Sequence, residues 1–373
     1  MSDWALAADV VHLNHGSFGG CPRAVLEASA ALRARLEAAP MRFFVLEWQA
    51  ELDRARGALA EFVRAPDDRL AFVPSATAGV QIALDSTAVA AGDELLILED
   101  GYRACKNQLA RLADERGARI VTVPMPRPFD ADQLVDDVRR AVTPRTRIAV
   151  LDHITSPTAI VVPLERLLPL LAGVAVIVDG AHAPGQLALD VGALLAQGVA
   201  WYAGNNHKWL CAPKASGFVV AAAPGGAHPL VLSHGASAEY GPPNRFHALL
   251  DWPGTHDPTA HLSVPAAIAT IAELGDGWPR TIAHNHALAL ELCARVGGTP
   301  IAPAASIGTM VAMPIELAGA HDALQISLLR DGFEVPIIAT PRGPLLRVSA
   351  HLYNRADEAD LLAAALHGRV RMI

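Results

Sequence analysis

The 373-residue chain has only four cysteines, at 21, 105, 211 and 293, and they show neither metal-ligand spacing nor a small disulfide framework. Reduced thiols are therefore expected. No apolar run reaches the roughly 18 residues needed to cross a bilayer, although hydrophobic residues make up 52% of the chain. That surplus belongs to a buried core, and much of it is alanine, a strong helix former. The start, Met1-Ser2-Asp3-Trp4, lacks a basic stretch followed by an apolar one, so no secretion signal is read and a cytoplasmic protein is expected. Positive charge is also short, with 30 Lys and Arg against 38 Asp and Glu. Nucleic acid needs a basic surface, so it is not an expected partner. Fifteen histidines invite a metal, but the nearest approach to a motif, His284-Asn285-His286, lacks the helical His/Glu spacing of a zinc site. No metal is expected. A Gly-rich dinucleotide fingerprint after an early strand is missing too, which argues against nicotinamide chemistry.

What is present is an alternation of strands and helices. Residues 22–63 read as helical and are interrupted by Pro40. Strands are expected at 70–73, 94–98, 119–123, 148–151, 174–178 and 217–221, with helices at 78–90, 106–116 and 131–141 between them. Continuous apolar strands separated by helices mean a mostly parallel sheet covered on both faces. The stretch 224–260 reads as a long loop, of the kind often found at functional sites or interfaces. After it come a helix at 264–274, strands at 308–313 and 345–349, and a last helix at 358–366. The expected organisation is a large domain, 16–255, and a smaller α+β domain made of 1–15 and 256–373.

Ligands in such sheets gather at the carboxyl ends of strands, where several polar groups fall. Asp179 closes the apolar run Val174–Val178, a costly place for a charge without a partner. A cationic ring nitrogen would be one, and a helix cap would need no ligand. His182 follows as a hydrogen-bond donor to a phenolic oxygen or as a loop-ordering residue. Lys208 lies in the turn Asn205-Asn206-His207-Lys208-Trp209 and not on a polar helix face. Lys214 competes for the same role, but Asn205 and His207 beside Lys208 add donors. An acidic residue closing a strand, followed by a lysine in such a turn, is what pyridoxal phosphate needs: a carboxylate to keep the ring nitrogen protonated and an amine for a Schiff base. Pro74-Ser75-Ala76-Thr77-Ala78-Gly79 opens a helix and suits either a phosphate or an ordinary cap. Tyr102 can stack on a flat ring or sit at the surface. Arg347, inside an apolar strand, reads as a carboxylate clamp or as an internal ion pair. Arg42 and Arg245 are candidates for a second substrate carboxylate.

Together these motifs resemble the class V aminotransferase superfamily, and within it the isopenicillin N epimerase-like group. The resemblance runs from Leu13-Asn14-His15-Gly16-Ser17-Phe18-Gly19 through Ser75–Gly79, Asp152–Ser156, Asp179–Gln186 and Asn205–Trp209 to Pro253–Asp257 and Arg347–Asn354. It implies the aspartate-aminotransferase-like fold (PLP fold type I) and a homodimer with shared active sites. Pyridoxal 5'-phosphate is the implied cofactor and an amino-acid-type molecule the substrate. By matching position, Lys208 would be the Schiff-base lysine, Asp179 the partner of the ring nitrogen and Tyr102 the stacking ring. Ser75, Ala76, Thr77, His182, Asn205 and His207 would complete the cofactor site, with Thr255 from the neighbouring subunit. Arg347, Asn14 and His15 would bind substrate. Ser75 departs from the group's usual Asn, and Ala215 from the Gly that commonly follows the Pro-Lys pair.

The implied chemistry starts at the substrate α-carbon, where Lys208 would act as base. Epimerisation, transamination or loss of a β-substituent would follow, according to where the proton returns. Epimerisation needs a second proton donor, for which Tyr102 is the candidate. A persulfide-forming desulfurase is disfavoured because 325–346 contains no cysteine, whereas a C–S lyase without that cysteine stays open. A non-catalytic binding protein on the same fold is the rival from another class; the presence of both Lys208 and Asp179 argues against it.

Overall fold

The computed structural model describes residues 3–237, 244–317 and 319–373. Its centre is a seven-stranded sheet built from β1 (Leu70–Val73), β2 (Glu94–Leu98), β3 (Arg119–Val123), β4 (Thr146–Asp152), β5 (Ala175–Gly180), β6 (Val199–Asn205) and β7 (Gly217–Ala221). The order across the sheet is β1-β7-β6-β5-β4-β2-β3. All neighbours run parallel except at β7, which is antiparallel to both β6 and β1.

Strand periodicity divides the core between the two faces of this sheet. Leu96, Leu98, Ala149, Leu151, Val176 and Val178 belong to one apolar cluster. Their neighbours Leu95, Ile97, Ile148, Val150 and Ile177 belong to another on the opposite face. Both faces are helix-covered, so the strands are apolar without alternation, which is why they are readable in the sequence.

The expected strands and helices recur with shifted ends. The helix expected at 78–90 spans Ala76–Asp85. It stops there because the Ser86 and Thr87 hydroxyls donate back to the carbonyls of Ile82 and Ala83, satisfying the last turn. Pro40 interrupts the helical run only briefly. The helix Arg23–Ala38 finishes before it, and Pro40 then opens a new helical run through a π-turn at Phe43–Glu47 into Trp48–Val63. The stretch 224–260 is not loop throughout: Arg245–Leu250 is helical, capped by the Asn244 side chain, and buries Phe246. β6 is a strand that the apolar pattern does not announce, because Ala200, Ala203 and Gly204 dilute its signal. The helix Trp278–Val296, the longest among the described residues, is likewise additional to the expected elements.

The second sheet is antiparallel: β8 (Met310–Leu317), β9 (Ile337–Thr340), β10 (Gly343–Ser349) and β11 (Val370–Met372), in the order β9-β10-β8-β11. The N-terminal segment ties it to the first. Ser349 donates its N–H to the Leu13 carbonyl, and its Oγ accepts from Gly16 N–H. Residues 13–19 therefore run between β10 and the loop that follows β6.

Candidate active site

The carboxyl ends of β2, β4, β5 and β6 open on a cavity of about 230 Å³ whose walls include Ser75, Thr77, Tyr102, Asp152, Asp179, His182, Asn205, His207 and Lys208. Sheet register sets this convergence: Asp152 lies beside Asp179, and Asp179 beside Ala203, two residues before Asn205. Close approach fixes two glycines. A Cβ on Gly180 would stand 2.3 Å from the Tyr202 hydroxyl, and one on Gly19, whose φ is +71°, would stand 2.3 Å from the His207 carbonyl. Gly180 thus lets the floor strand pass Tyr202, and Gly19 lets the N-terminal segment press on the lysine loop.

Lys208 lines this cavity. Burial lowers its amine to a pKa of about 8, against the opposing pull of Asp179. Its Nζ is 3.0 Å from His182 Nε2. The Trp209 indole N–H points at His182 Nδ1 from 3.4 Å. An indole only donates, so Nδ1 accepts and Nε2 carries the ring proton toward the cavity, where it donates to the free-base form of the Lys208 amine. Burial also keeps this imidazole neutral. His182 is therefore a donor at the place where a phenolic oxygen is expected.

The floor holds Asp179, 4% exposed. It accepts from the Ala181 N–H at 3.0 Å and from the Cys105 thiol at 3.1 Å. Asp152 lies beside it, although in the sequence it is only one member of a longer motif. Cys105 carries no signal in the sequence, since a lone cysteine on an amphipathic helix looks like core.

An anion cradle lies at the start of the helix Ala76–Asp85. Ala76 N–H is taken by Asn205 Oδ1 at 2.8 Å, Ala78 N–H by Ser75 Oγ at 3.3 Å, and Gly79 N–H by the Ser75 carbonyl. This leaves the Thr77 N–H and hydroxyl to face an anion. Ala76 thus supports Asn205 and spends its N–H there, in place of the direct phosphate contact that its position implies. His207 donates from Nδ1 to the Ser216 carbonyl at 2.7 Å, leaving Nε2 for the cavity.

A second cavity, of about 500 Å³, shares Ser17, Tyr102 and Ser156 with the first and is walled by Arg347 and Lys106. Arg347 is 3% exposed on β10. It donates to the Ser156 carbonyl and to Ser17 Oγ, and burial lowers it to about 10. Its Nε is buried and lacks a partner among the described residues. No carboxylate of the chain pairs with it among the described residues, so the internal ion pair expected as the alternative is not formed there.

Three expected substrate or cofactor contacts lie elsewhere. Asn14 lines neither cavity; its Oδ1 accepts from the Ser17 hydroxyl at 2.6 Å and, at 3.5 Å, from the Arg347 guanidinium, so it touches the wall of the second cavity from behind. His15 is buried behind the lysine loop. Its Nδ1 accepts from the Gly20 N–H, with the Tyr353 hydroxyl at 3.0 Å, so Nε2–H donates to the Lys208 carbonyl at 3.1 Å. His15, Cys211 and His351 offer ligand atoms within 4.8 Å of one another, but a proton-bearing Nε2 on His15 is no metal ligand. Thr255 lines neither cavity of its own chain. Arg42 pairs with Glu47 and Arg245 with the carbonyls of Gly235 and Ala236, both away from the cavities. Lys214 is tied to the Gly19 carbonyl at 2.7 Å, which removes it as a rival to Lys208.

The donor set fits pyridoxal phosphate. An anion cradle, an amine of lowered pKa, a neutral imidazole donor and a carboxylate floor surround one ring-sized space beside Tyr102. Comparison with known proteins agrees. A family model described as Aminotransferase class-V matches residues 21–296. The chain is 35% identical to an isopenicillin N epimerase of Amycolatopsis lactamdurans, covering 96% of this chain and 94% of that one. It is 29% identical to a probable chloroplastic L-cysteine desulfhydrase of Arabidopsis thaliana, over 97% and 83%. Among solved structures, a cystine C–S lyase in complex with cysteine persulfide aligns with a TM-score of 0.82 at 21% identity, covering 97% of this chain and 98% of that one. At that identity it shows a shared fold.

Proposed function

The chain belongs to the class V aminotransferase family of pyridoxal-phosphate enzymes, and from that premise we propose that it acts at the α-carbon of an amino acid, with epimerase-type chemistry as the leading reading. The observation that carries this is the convergence of Lys208, Asp179 and His182 on one cavity that opens, past Tyr102, onto the guanidinium of Arg347. Pyridoxal phosphate, when bound, supplies an electron sink for the negative charge that develops at the α-carbon.

The chain's own residues do the rest. Thr77, with Ser75 and His207, would hold the phosphate at the helix start. Asp179 would offer its carboxylate to the ring nitrogen, and His182 Nε2–H would donate to the phenolic oxygen. Lys208 would hold the cofactor through its amine and would serve as the base for the α-proton; with a pKa of about 8 more of it is free base near neutrality than of an ordinary lysine. Arg347, whose side chain walls the second cavity, would bind the substrate carboxylate and thereby orient the α-hydrogen. Tyr102, 41% exposed at the mouth of both cavities, is the second proton carrier that epimerisation needs.

Release of a sulfur group from the β-carbon is the second reading, favoured by likeness to a cysteine desulfhydrase over nearly the whole chain. All four cysteines are buried free thiols, so a surface cysteine that would carry off sulfur is missing and sulfide would leave directly. We also propose a homodimer. Phe18, Met41, Val45, Leu46 and Leu232 are large apolar residues more than half exposed, as a covered face would have, and Thr255 is left for the partner's cavity. Sedimentation at micromolar concentration should give twice the chain mass.

The test of the main reading is colour and covalency. Purified protein should show a visible absorption band that borohydride bleaches, with the label recovered on the peptide holding Lys208. Incubation with L- and D-amino acids in deuterated water then separates the outcomes. Deuterium at the α-carbon of both enantiomers marks epimerisation, a keto acid marks transamination, and sulfide marks the lyase.

A further inference from the structure

We propose that Asp152 is a proton-bearing positioning residue: it stays a neutral acid beside Asp179, leaving Asp179 as the one ionised carboxylate on the cavity floor, and it anchors the backbone of Tyr102. The role in catalysis rests on the cofactor reading above; the protonation state does not.

Asp152 ends β4 in register with Asp179 at the end of β5, and the two are only 2% and 4% exposed. Two carboxylates side by side in a low-dielectric floor cannot both ionise cheaply. The hydrogen bonds decide which one keeps the proton. Asp179 accepts from two donors, the Ala181 N–H and the Cys105 thiol. Asp152 accepts from the Tyr102 N–H on Oδ1 at 3.3 Å and, more weakly, from its own N–H, and its Oδ2 is buried without a partner among the described residues. Donors favour the charged form, so the proton settles on Asp152.

The groups facing Asp152 support this. Asp100, from the turn after β2, adds negative charge but is already held by Arg127 at 2.7 Å and Thr158 at 3.0 Å. Cys105, on the helix Arg103–Arg116, is a thiol raised far above its usual range by burial and by Asp179, so it donates and does not ionise. Among the described residues the cation lining this cavity is Lys208, and its pull is outweighed: burial first, then Asp179, raise Asp152 well above the usual carboxylate range. A floor with a single charge matches a single ring cation, and a second carboxylate would leave one charge buried and unpaired. Oδ1 meanwhile fixes the start of the Tyr102 helix, so one side chain links the stacking ring to the anchoring carboxylate.

Infrared difference spectra of the full chain test this directly. Wild type minus Asp152→Asn at neutral pH should contain a carboxylic-acid C=O stretch that shifts in deuterated water. A difference made only of carboxylate bands would overturn the assignment. In the cofactor-free chains, Asp179→Asn removes the like charge, so the acid band should titrate away at lower pH than in wild type; an unmoved midpoint also sinks the pairing. With cofactor bound, Asp152→Asn should keep the visible circular dichroism of the wild type, whereas Asp152→Ala, which frees Tyr102, should change it. Equal damage from both variants would count against a neutral Asp152. Failure of borohydride labelling would remove the cofactor reading and leave the first two measurements standing.

Discussion

The two sides of the lysine loop are built on opposite plans. Its front faces the cavity with hydrogen-bonding capacity in reserve: the Lys208 amine, His207 Nε2, the Thr77 N–H and the Asp152 Oδ2. Its back is closed against a ring stack. His15 lies over His351 with centroids 4.2 Å apart, Trp4 meets Tyr353 edge-on at 4.8 Å, and the Cys211 sulfur lies beside the stack, 3.7 and 3.5 Å from the Nε2 atoms of the two histidines. Every one of these residues is buried, and Tyr353, the most open of them, is 6% exposed. The difference teaches where rigidity comes from. A lysine that must leave and rejoin a ligand needs a backbone that does not move, and here the Lys208 carbonyl is held by His15 while His15 is held by Tyr353 from the other end of the chain.

The contrast can be broken hardest from the front. Lys208→Ala should lower turnover by about 10⁴-fold or more, since nucleophile and base go together, and should abolish borohydride labelling while leaving the thermal midpoint nearly unchanged. Tyr102→Phe comes next: α-deuteration of one enantiomer should fall by about 10²-fold with the other retained. Equal retention of both would remove Tyr102 as the second proton carrier. From the back, His15→Ala should cost roughly 2–3 kcal/mol in denaturant unfolding, because it leaves Tyr353 and a backbone carbonyl unsatisfied in a packed site; turnover should drop with little change in KM. His15→Gln, which keeps a donor, should recover part of both. If His15→Ala changed only KM, the histidine would belong to the substrate after all.

A pH series gives the smallest effect and sharpens the comparison. The buried amine of Lys208 loses its proton as pH rises through about 8, so the rate of cofactor capture by the cofactor-free chain should climb through that value and level off above it. Stopped-flow absorbance checks this. A midpoint near the ordinary lysine value would mean the amine is not held in the desolvated setting described here.

Much of the front is legible in the sequence. Asp179 stands out as a charge ending an apolar strand, and Lys208 as a lysine in a turn of small and polar residues; both readings rest on local desolvation, which the sequence displays. The back is not legible. His15, Cys211, His351 and Tyr353 come from three distant segments, and each alone looks like an ordinary core residue. Asp152 is silent as a working group for a related reason: its meaning depends on Asp179 lying beside it, and strand neighbours across a crossover are not neighbours in sequence. The helix Arg245–Leu250 is hidden by its Gly/Pro-rich surroundings, although Asn244 has the side chain to cap it.

Sequence alone determined the class of architecture and the chemical character of the lysine and the aspartate, because apolar periodicity and the cost of a buried charge act over a few residues. Tertiary structure alone decided which histidine faces the ligand, which amide of the first helical turn stays free, and which of two adjacent carboxyls keeps its proton. Those outcomes depend on donors and charges brought within about 3 Å by folding, where hydrogen bonding and desolvation are strong enough to choose between protonation states.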